Sequence, residues 1–573
     1  MLKNLFRSLR PRRAARLNED GLALWHGGDL IGAEHALRAA INARPGYAPA
    51  YGNLGMVLWE QRRLDEGLAL LARAVELDPR HLNARLNLAN VLAMAGRYEQ
   101  SIAHYREVLR ADPGHAAARA NLLRPLMDLC EWDAADAEVR LLSGRWQSEG
   151  AGAWLDCVAP YTSLFMSVAP EFRLAVAKHH AQRILALAGP PVRIARRARG
   201  RRLRIGYVSA DFHDHAVAHL TGGLFERHDR DRFEIYGYSF GHDDGSDYRR
   251  RIGAACASFV DFRNAPFRAA AERIAADGID ILVDLMGHTG RSRPEVLALR
   301  PAPVLANWLG YPGTTGAEYM DYLLADRIVL PESDFAWCSE QVVWLPHCYL
   351  ATDDAQPIAA GAPARADCGL PERGIVFCAF NQTAKIDARI FATWMRVLAA
   401  VPDSVLWLSG ASAGARSNLA RAAARAGIAP QRLVFASHLA SKAEHLARHR
   451  LADLFLDTHL YNAHTTACDA LWAGLPLLTC AAPAFPGRVA TSLLHAVGLP
   501  ELSVATIEDY ERVAIELARA PVRRAELKAR LERNRRAMPL FDTMRFARGL
   551  EQAYEAMWAR HEKGEPPAPI ALT

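Results

Sequence analysis

The chain contains no Cys-x-x-Cys pair, although it has nine cysteines in 573 residues. They are scattered at positions 130, 157, 256, 338, 348, 368, 378, 468 and 480, a spacing that argues against a zinc ribbon or a disulfide framework and suits buried core thiols. No apolar run approaches the roughly 20 residues needed to cross a bilayer. The opening stretch, MLKNLFRSLRPRRAAR, also lacks the apolar core and small-residue cleavage site of a signal peptide. The expectation is a cytoplasmic protein with no membrane partner. Neither G-x-G-x-x-G nor G-x-x-x-x-G-K-[ST] occurs, which excludes a standard dinucleotide fingerprint and a P-loop, and there is no H-E-x-x-H for zinc.

Outside the first 16 residues there is no net excess of either charge. The formal net charge is +6, but residues 1–16 hold six Lys/Arg and no acid, so the other 557 residues sum to zero. A second basic cluster, RIARRARGRRLR at 193–204, follows Pro190 and Pro191. Both clusters read as a solvated tail and a linker, and no nucleic-acid recognition motif accompanies them. No specific nucleic-acid partner is expected.

A repeat is plainly present. Pro45, Pro79 and Pro113 recur every 34 residues, and at that period NEDGLALWHGGDLIGAEHALRAAINARP, NLGMVLWEQRRLDEGLALLARAVELDP and NLANVLAMAGRYEQSIAHYREVLRADP fall into register. Small residues recur at Gly21, Gly55 and Ala89, and again at Ala33, Gly67 and Ser101, where paired helices must approach closely. This is the tetratricopeptide pattern. A fourth copy begins near ANLLRPLMDLCEWDAADAEVRLL and decays by about residue 145, as a capping repeat does. Such arrays offer a groove for polypeptide, so a protein or peptide partner is implied, and they also allow homodimers; a bare spacer is the plainer alternative.

From residue 203 onward short β-rich runs alternate with helical stretches, the pattern of parallel sheets covered on both faces. The expected fold is therefore a tetratricopeptide-repeat helical array followed by two doubly wound, Rossmann-like lobes. We divide the chain into a basic N-terminal tail (1–16), repeats (17–150), a helical bridge and basic linker (151–202), a first lobe (203–350), an inter-lobe connection (351–371), and a second lobe with terminal helices (372–573). Ligands of such folds bind beyond the carboxyl ends of the strands.

Those strand ends carry polar clusters. After RIGYVSA come Asp211, His213, Asp214, His215 and His219; substrate or proton handling, a metal site using His215 and His219, and satisfied structural histidines are all compatible with this set. After GIVFCAF come Gln382 and Lys385, whose ammonium is placed to neutralise a phosphate. HLASKAEHLARHRLAD puts Lys442, His445 and Arg448 on one helical face. In YNAHTTACDALWAG, His464, Thr465 and Thr466 open a helix, with Asp469 three residues beyond Thr466 in a capping-box-like spacing. Capping alone accounts for that motif. Three cationic or donor-rich strand ends in one lobe favour a diphosphate site on the helix N-terminus. The D-x-D of Asp229 and Asp231 precedes a strand instead of following one, so no metal-bridged diphosphate is expected.

The repeats together with RIGYVSADFHDHAVAHL, LRPAPVLANWLGYPGTTG, NQTAKID and HTTACDALWAGLPLLT resemble the bacterial branch of the O-linked N-acetylglucosamine transferases over nearly the whole chain. The resemblance implies a glycosyltransferase B fold and inverting transfer from UDP-GlcNAc to Ser/Thr hydroxyls of proteins, with no cofactor and no metal. It assigns Gln382 and Lys385 to the UDP, with Lys385 countering the leaving diphosphate. His445, Ala440 and Lys442 fall on the uridine side, His464, Thr465 and Thr466 on the diphosphate, and Asp469 on the ribose. His215 and Asp211 are implied catalytic residues and Gly310 a sugar-side backbone contact. His219 and Arg448, placed by their own loop and helix face and not by the resemblance, are counted among the binding residues. There are departures: VAPYTSLF (158–165) stands where animal members carry a histidine-rich segment, Ala216 replaces a proline, and Tyr461 and Ala384 replace other side chains near the nucleotide. A repeat scaffold that binds nucleotide without turnover, and a transferase with another donor or acceptor, are the competing readings.

Overall fold

The computed structural model describes residues 2–194, 202–361 and 363–572. The core of the basic 193–204 cluster lies outside the described residues. The first helix runs unbroken over Leu2–His26, so the backbone of residues 2–16, read from sequence as a tail, continues straight into the first repeat.

Helices Leu30–Ala43, Ala48–Glu60, Leu64–Leu77, Leu82–Met94, Tyr98–Ala111, Ala116–Asp128 and Trp132–Glu149 follow as antiparallel neighbours. The small residues at the 34-residue period sit where backbones touch. A Cβ on Gly55 would lie 2.7 Å from Leu71 Cγ, and one on Gly67 2.7 Å from the Gly55 carbonyl oxygen. In the next repeat Ser101 Oγ donates to the Ala89 carbonyl at 2.8 Å.

Two parallel sheets follow. The first contains β1 (Leu203–Ser209), β2 (Phe233–Ser239), β3 (Ser258–Asp261), β4 (Ile281–Asp284), β5 (Val304–Asn307), β6 (Tyr322–Ala325) and β7 (Gln341–Trp344). The second contains β8 (Ile375–Ala379), β9 (Ser404–Leu408), β10 (Leu433–Phe435), β11 (Leu454–Leu456), β12 (Leu477–Cys480) and β13 (Ser503–Val504). Strand order is β7-β6-β5-β4-β1-β2-β3 in the first and β10-β9-β8-β11-β12-β13 in the second. Central strands such as β4 and β5 are buried at every position, which is why they read as apolar runs and not as alternating patterns.

The chain does not end in the second lobe. Helix Thr543–Glu562 returns to the first, where Tyr554 and Tyr207 share a hydroxyl hydrogen bond of 2.8 Å and Glu551 meets buried His228 at 3.1 Å. β14 (Ile570–Ala571) then pairs in parallel with β7. Within the 372–573 segment, the terminal helix and strand from Thr543 onward thus pack on the first lobe.

The repeats hydrogen-bond to both lobes. Phe267 N–H donates to the Gly27 carbonyl at 3.3 Å on the first lobe. On the second, Trp132 Nε1 donates to the Ile386 carbonyl at 2.6 Å and Asn418 Nδ2 to the Leu129 carbonyl at 2.7 Å.

Candidate active site

The carboxyl ends of β8 and β11 converge on one polar cradle. The backbone leaving β8 passes Asn381 and Gln382 into a single 3₁₀ turn, Thr383–Lys385, which turns Lys385 inward. Its ammonium donates to the Asn462 carbonyl at 2.8 Å and lies 4.1 Å from the centre of the Tyr461 ring. Burial pulls Lys385 down to about 7, opposed by the field of Asp457 and reinforced by Arg124.

Helix Thr465–Trp472 begins beside it. His464 is the N-cap, with no side-chain capping bond, so neither threonine caps in the sense that the sequence suggested. Thr466 Oγ1 instead donates to Asn381 Oδ1 at 2.6 Å, while Asn381 Nδ2 donates to Asp457 Oδ1 at 3.1 Å and Thr458 Oγ1 at 2.7 Å. The first intrahelical bonds come from Ala467 and Cys468 N–H to the His464 carbonyl. The amides of Thr465 and Thr466 therefore have no acceptor among the described residues, and they point out of the helix end with its positive dipole. His464 stacks on Tyr461 at 4.7 Å and approaches the Pro486 carbonyl through Nε2 at 3.1 Å. Burial and the nearby Lys385 hold its pKa well below the ordinary imidazole value.

Asp469 is occupied by another partner. Lys442 Nζ donates to both of its oxygens at 2.7 and 2.6 Å, and His445 Nε2 lies 3.5 Å away. Burial opposes ionisation of this carboxyl, but Lys442 and His445 outweigh it and hold the pKa far below the carboxylate range. Arg448 is buried and structural: it donates to the Ser437 carbonyl at 2.8 Å and to His445 Nδ1 at 2.7 Å, and covers the Phe380 ring at 4.6 Å. Arg448 thus orients His445 from behind. Ala440 is exposed just before the Ser441 cap of that helix.

On the first lobe, the loop after β1 carries the remaining candidates. His215 caps helix Ala216–Arg227 by accepting from Val217 N–H through Nδ1 at 3.3 Å, which assigns its ring proton to Nε2. Asp211 Oδ2 lies 3.5 Å from the same Nδ1. Burial raises the Asp211 carboxyl to about 6, and burial with Arg291 lowers His215 to about 4. At neutral pH, then, His215 offers an N–H and Asp211 a lone pair. His219 turns away to Asp214 at 2.6 Å, so the i, i+4 pair of the metal reading does not converge. Gly310 is obligatory where it stands, since a Cβ there would lie 2.0 Å from the Leu285 carbonyl oxygen.

Sequence reading missed several participants. Arg124, from the repeats, donates to Gln382 Oε1 at 3.2 Å and stands over Phe165 at 4.7 Å. Phe165 in turn stacks on Tyr461 at 4.8 Å. Asn381 and Asp457 brace the cradle, and Arg291 holds its charge near Asp211 and His215. Arg124, Phe165 and Asn381 lay within quoted stretches, the decaying fourth repeat, VAPYTSLF and NQTAKID, but nothing local to those stretches marked Arg124 or Phe165 as reaching the nucleotide lobe.

The model of glycosyl transferase family 41 matches residues 129–361 and 350–550, and a tetratricopeptide-repeat model matches 19–81 and 53–116. The chain is 37% identical over 429 residues, 72% of its length and 44% of the relative's, to a protein of Arabidopsis thaliana named probable UDP-N-acetylglucosamine–peptide N-acetylglucosaminyltransferase SEC. It is 30% identical over 559 residues, 76% of the chain and 48% of the relative, to the UDP-N-acetylglucosamine–peptide N-acetylglucosaminyltransferase of Caenorhabditis elegans. It thus spans less than half the length of these curated relatives. A solved mutant of the O-GlcNAc transferase of Thermobaculum terrenum superposes with a TM-score of 0.71 at 29% identity, covering 97% of this chain and 99% of that one. With its repeats leading into two lobes of the glycosyltransferase B arrangement, the chain belongs to glycosyl transferase family 41.

Proposed function

We propose that the protein transfers N-acetylglucosamine from UDP-GlcNAc to Ser/Thr hydroxyls of polypeptides, with inversion at the anomeric carbon. The observation that carries this reading is the juxtaposition of Lys385, His464 and the free amides of Thr465 and Thr466 at one strand-end cradle. That set suits a diphosphate and little else: an anion there gains a charge-assisted contact and the helix dipole together. Asp469, held ionised by Lys442, and His445 are placed for ribose hydroxyls, with the backbone at Ala440 toward the base.

The acceptor hydroxyl attacks the anomeric carbon in line as the bond to UDP breaks. Charge accumulates on the departing diphosphate, where Lys385 and the amides receive it. The hydroxyl proton leaves late and needs only a weak base; Asp211 holds the available lone pair, and the Nε2–H of His215 orients an oxygen. Asp457 is spent on Asn381, Thr479 and the Ala463 amide, and Asp469 on Lys442. Nine unpaired thiols support a reducing, cytoplasmic setting.

Incubation with UDP-GlcNAc and a Ser/Thr peptide pool, read by intact-mass spectrometry, tests the proposal. Peptides gaining one N-acetylhexosamine with stoichiometric UDP release are expected; UDP binding without either product would place the chain among nucleotide-binding scaffolds.

A further inference from the structure

A second cavity, of about 300 Å³, opens where the bridge meets both lobes. Leu164, Val168 and Leu174 form its bridge wall, Tyr311 and Trp337 its first-lobe wall, and Phe485 its second-lobe wall. None of Lys385, His464, Thr465, Thr466, Asp211 or His215 lines it. Its volume is at the lower end of ligand pockets, roughly 300 to 1,000 Å³, and fits a molecule of about ten to fifteen non-hydrogen atoms.

The walls are apolar, but the charge is unbalanced. Of the lining ions, Arg488 is paired with Asp334 at 2.6 Å across the lobes. Arg173 has no carboxylate. Its Nε donates to the Ser163 carbonyl at 3.3 Å and its Nη2 to the Met166 carbonyl at 2.8 Å, while Nη1 has no acceptor among the described residues. Burial depresses its pKa, and the neighbouring Tyr311 phenol, itself held neutral by burial, supplies no counter-charge. A half-buried guanidinium held in place by two carbonyls, with one donor edge facing an apolar cavity, is the arrangement that recognises a carboxylate on an apolar body.

We infer that this cavity binds a small amphipathic monocarboxylate, its apolar part between Leu164, Trp337 and Phe485 and its carboxylate on Arg173 Nη1. Because the walls come from both lobes and the bridge, an occupant holds the three together.

The test is calorimetry on the full chain with 5-phenylvalerate and its uncharged analogue 5-phenylpentan-1-ol, with and without saturating UDP. Arg173→Met should weaken the carboxylate by about tenfold or more and leave the alcohol within about threefold, since only the former loses a charge-assisted bond. Val168→Trp, which fills the cavity, should abolish both, and UDP should change neither. Retained thermal unfolding and UDP binding certify each variant as folded; if Arg173→Met fails that check, Arg173→Lys should still weaken the carboxylate selectively. The inference is overturned by no binding to folded wild type, by carboxylate affinity indifferent to both Arg173 variants, or by displacement with UDP, which would make the cavity part of the donor cleft.

Discussion

The hydroxyl of Thr466 donates to Asn381 Oδ1 at 2.6 Å, fastening the amino end of helix Thr465–Trp472 to the loop that carries Lys385. Two independent donors, a dipole end and an ammonium, are thereby kept in one register. Thr466→Val keeps the shape and removes the bond, leaving a partly buried amide oxygen without its donor. We expect UDP affinity to fall by about 1 kcal/mol or more, read by calorimetry, and folding stability to fall by about 1 kcal/mol as the buried Asn381 oxygen loses its donor.

Lys385 sets a pH dependence. Its pKa is drawn down to about 7 in the free protein, and an anionic diphosphate must raise it again. Binding therefore takes up a proton, and UDP affinity should decline as pH rises above about 7, by up to tenfold per pH unit until the pKa of the complex is reached. Calorimetry at pH 8 in two buffers of different ionisation enthalpy checks the sign; Lys385→Met should show no such uptake.

The ion pair of Lys442 with Asp469 is buried, and its members are not equivalent when removed. Lys442→Met leaves a buried carboxylate with only His445 nearby, which should cost about 3 kcal/mol of stability. The double variant Lys442→Met, Asp469→Leu should recover most of that loss while abolishing nucleotide binding. The lowered pKa of Asp469 contributes stability above the unfolded carboxylate value, near 4, and that contribution is lost as pH falls below it. Urea titrations at pH 3 and pH 7 read the difference.

Asp211 and His215 make separable predictions. If Asp211 accepts the proton, turnover should fall below about pH 6, where burial has placed its carboxyl, and Asp211→Asn should reduce kcat by about 10²-fold or more. His215→Gln retains an N–H and should be milder than His215→Leu. Initial rates of UDP release across pH 5 to 9 distinguish the pair.

Much of this was legible in the chain. Proline spacing and the small residues at Gly55, Gly67 and Ser101 announced the repeats because close helix packing leaves few choices of side chain. Strand ends were legible because polar loops interrupt apolar runs. What could not be read were contacts set by distant chain segments. The spacing of Thr466 and Asp469 mimicked a capping box, yet Asp469 is claimed by Lys442, 27 residues earlier, and Thr466 by Asn381, 85 residues earlier. Arg124 reaches the Gln382 loop from a repeat, and β14 is two residues long after a proline-rich stretch, too short to carry a pattern.

The central claim is that Lys385 and the helix end together hold a nucleoside diphosphate. Calorimetric titration with UDP in EDTA, wild type beside Lys385→Ala, tests it most directly. Micromolar binding that weakens by about tenfold or more, at least 1.4 kcal/mol, in the variant is expected. Equal affinity in the two proteins, or no binding by a folded wild type, would contradict it.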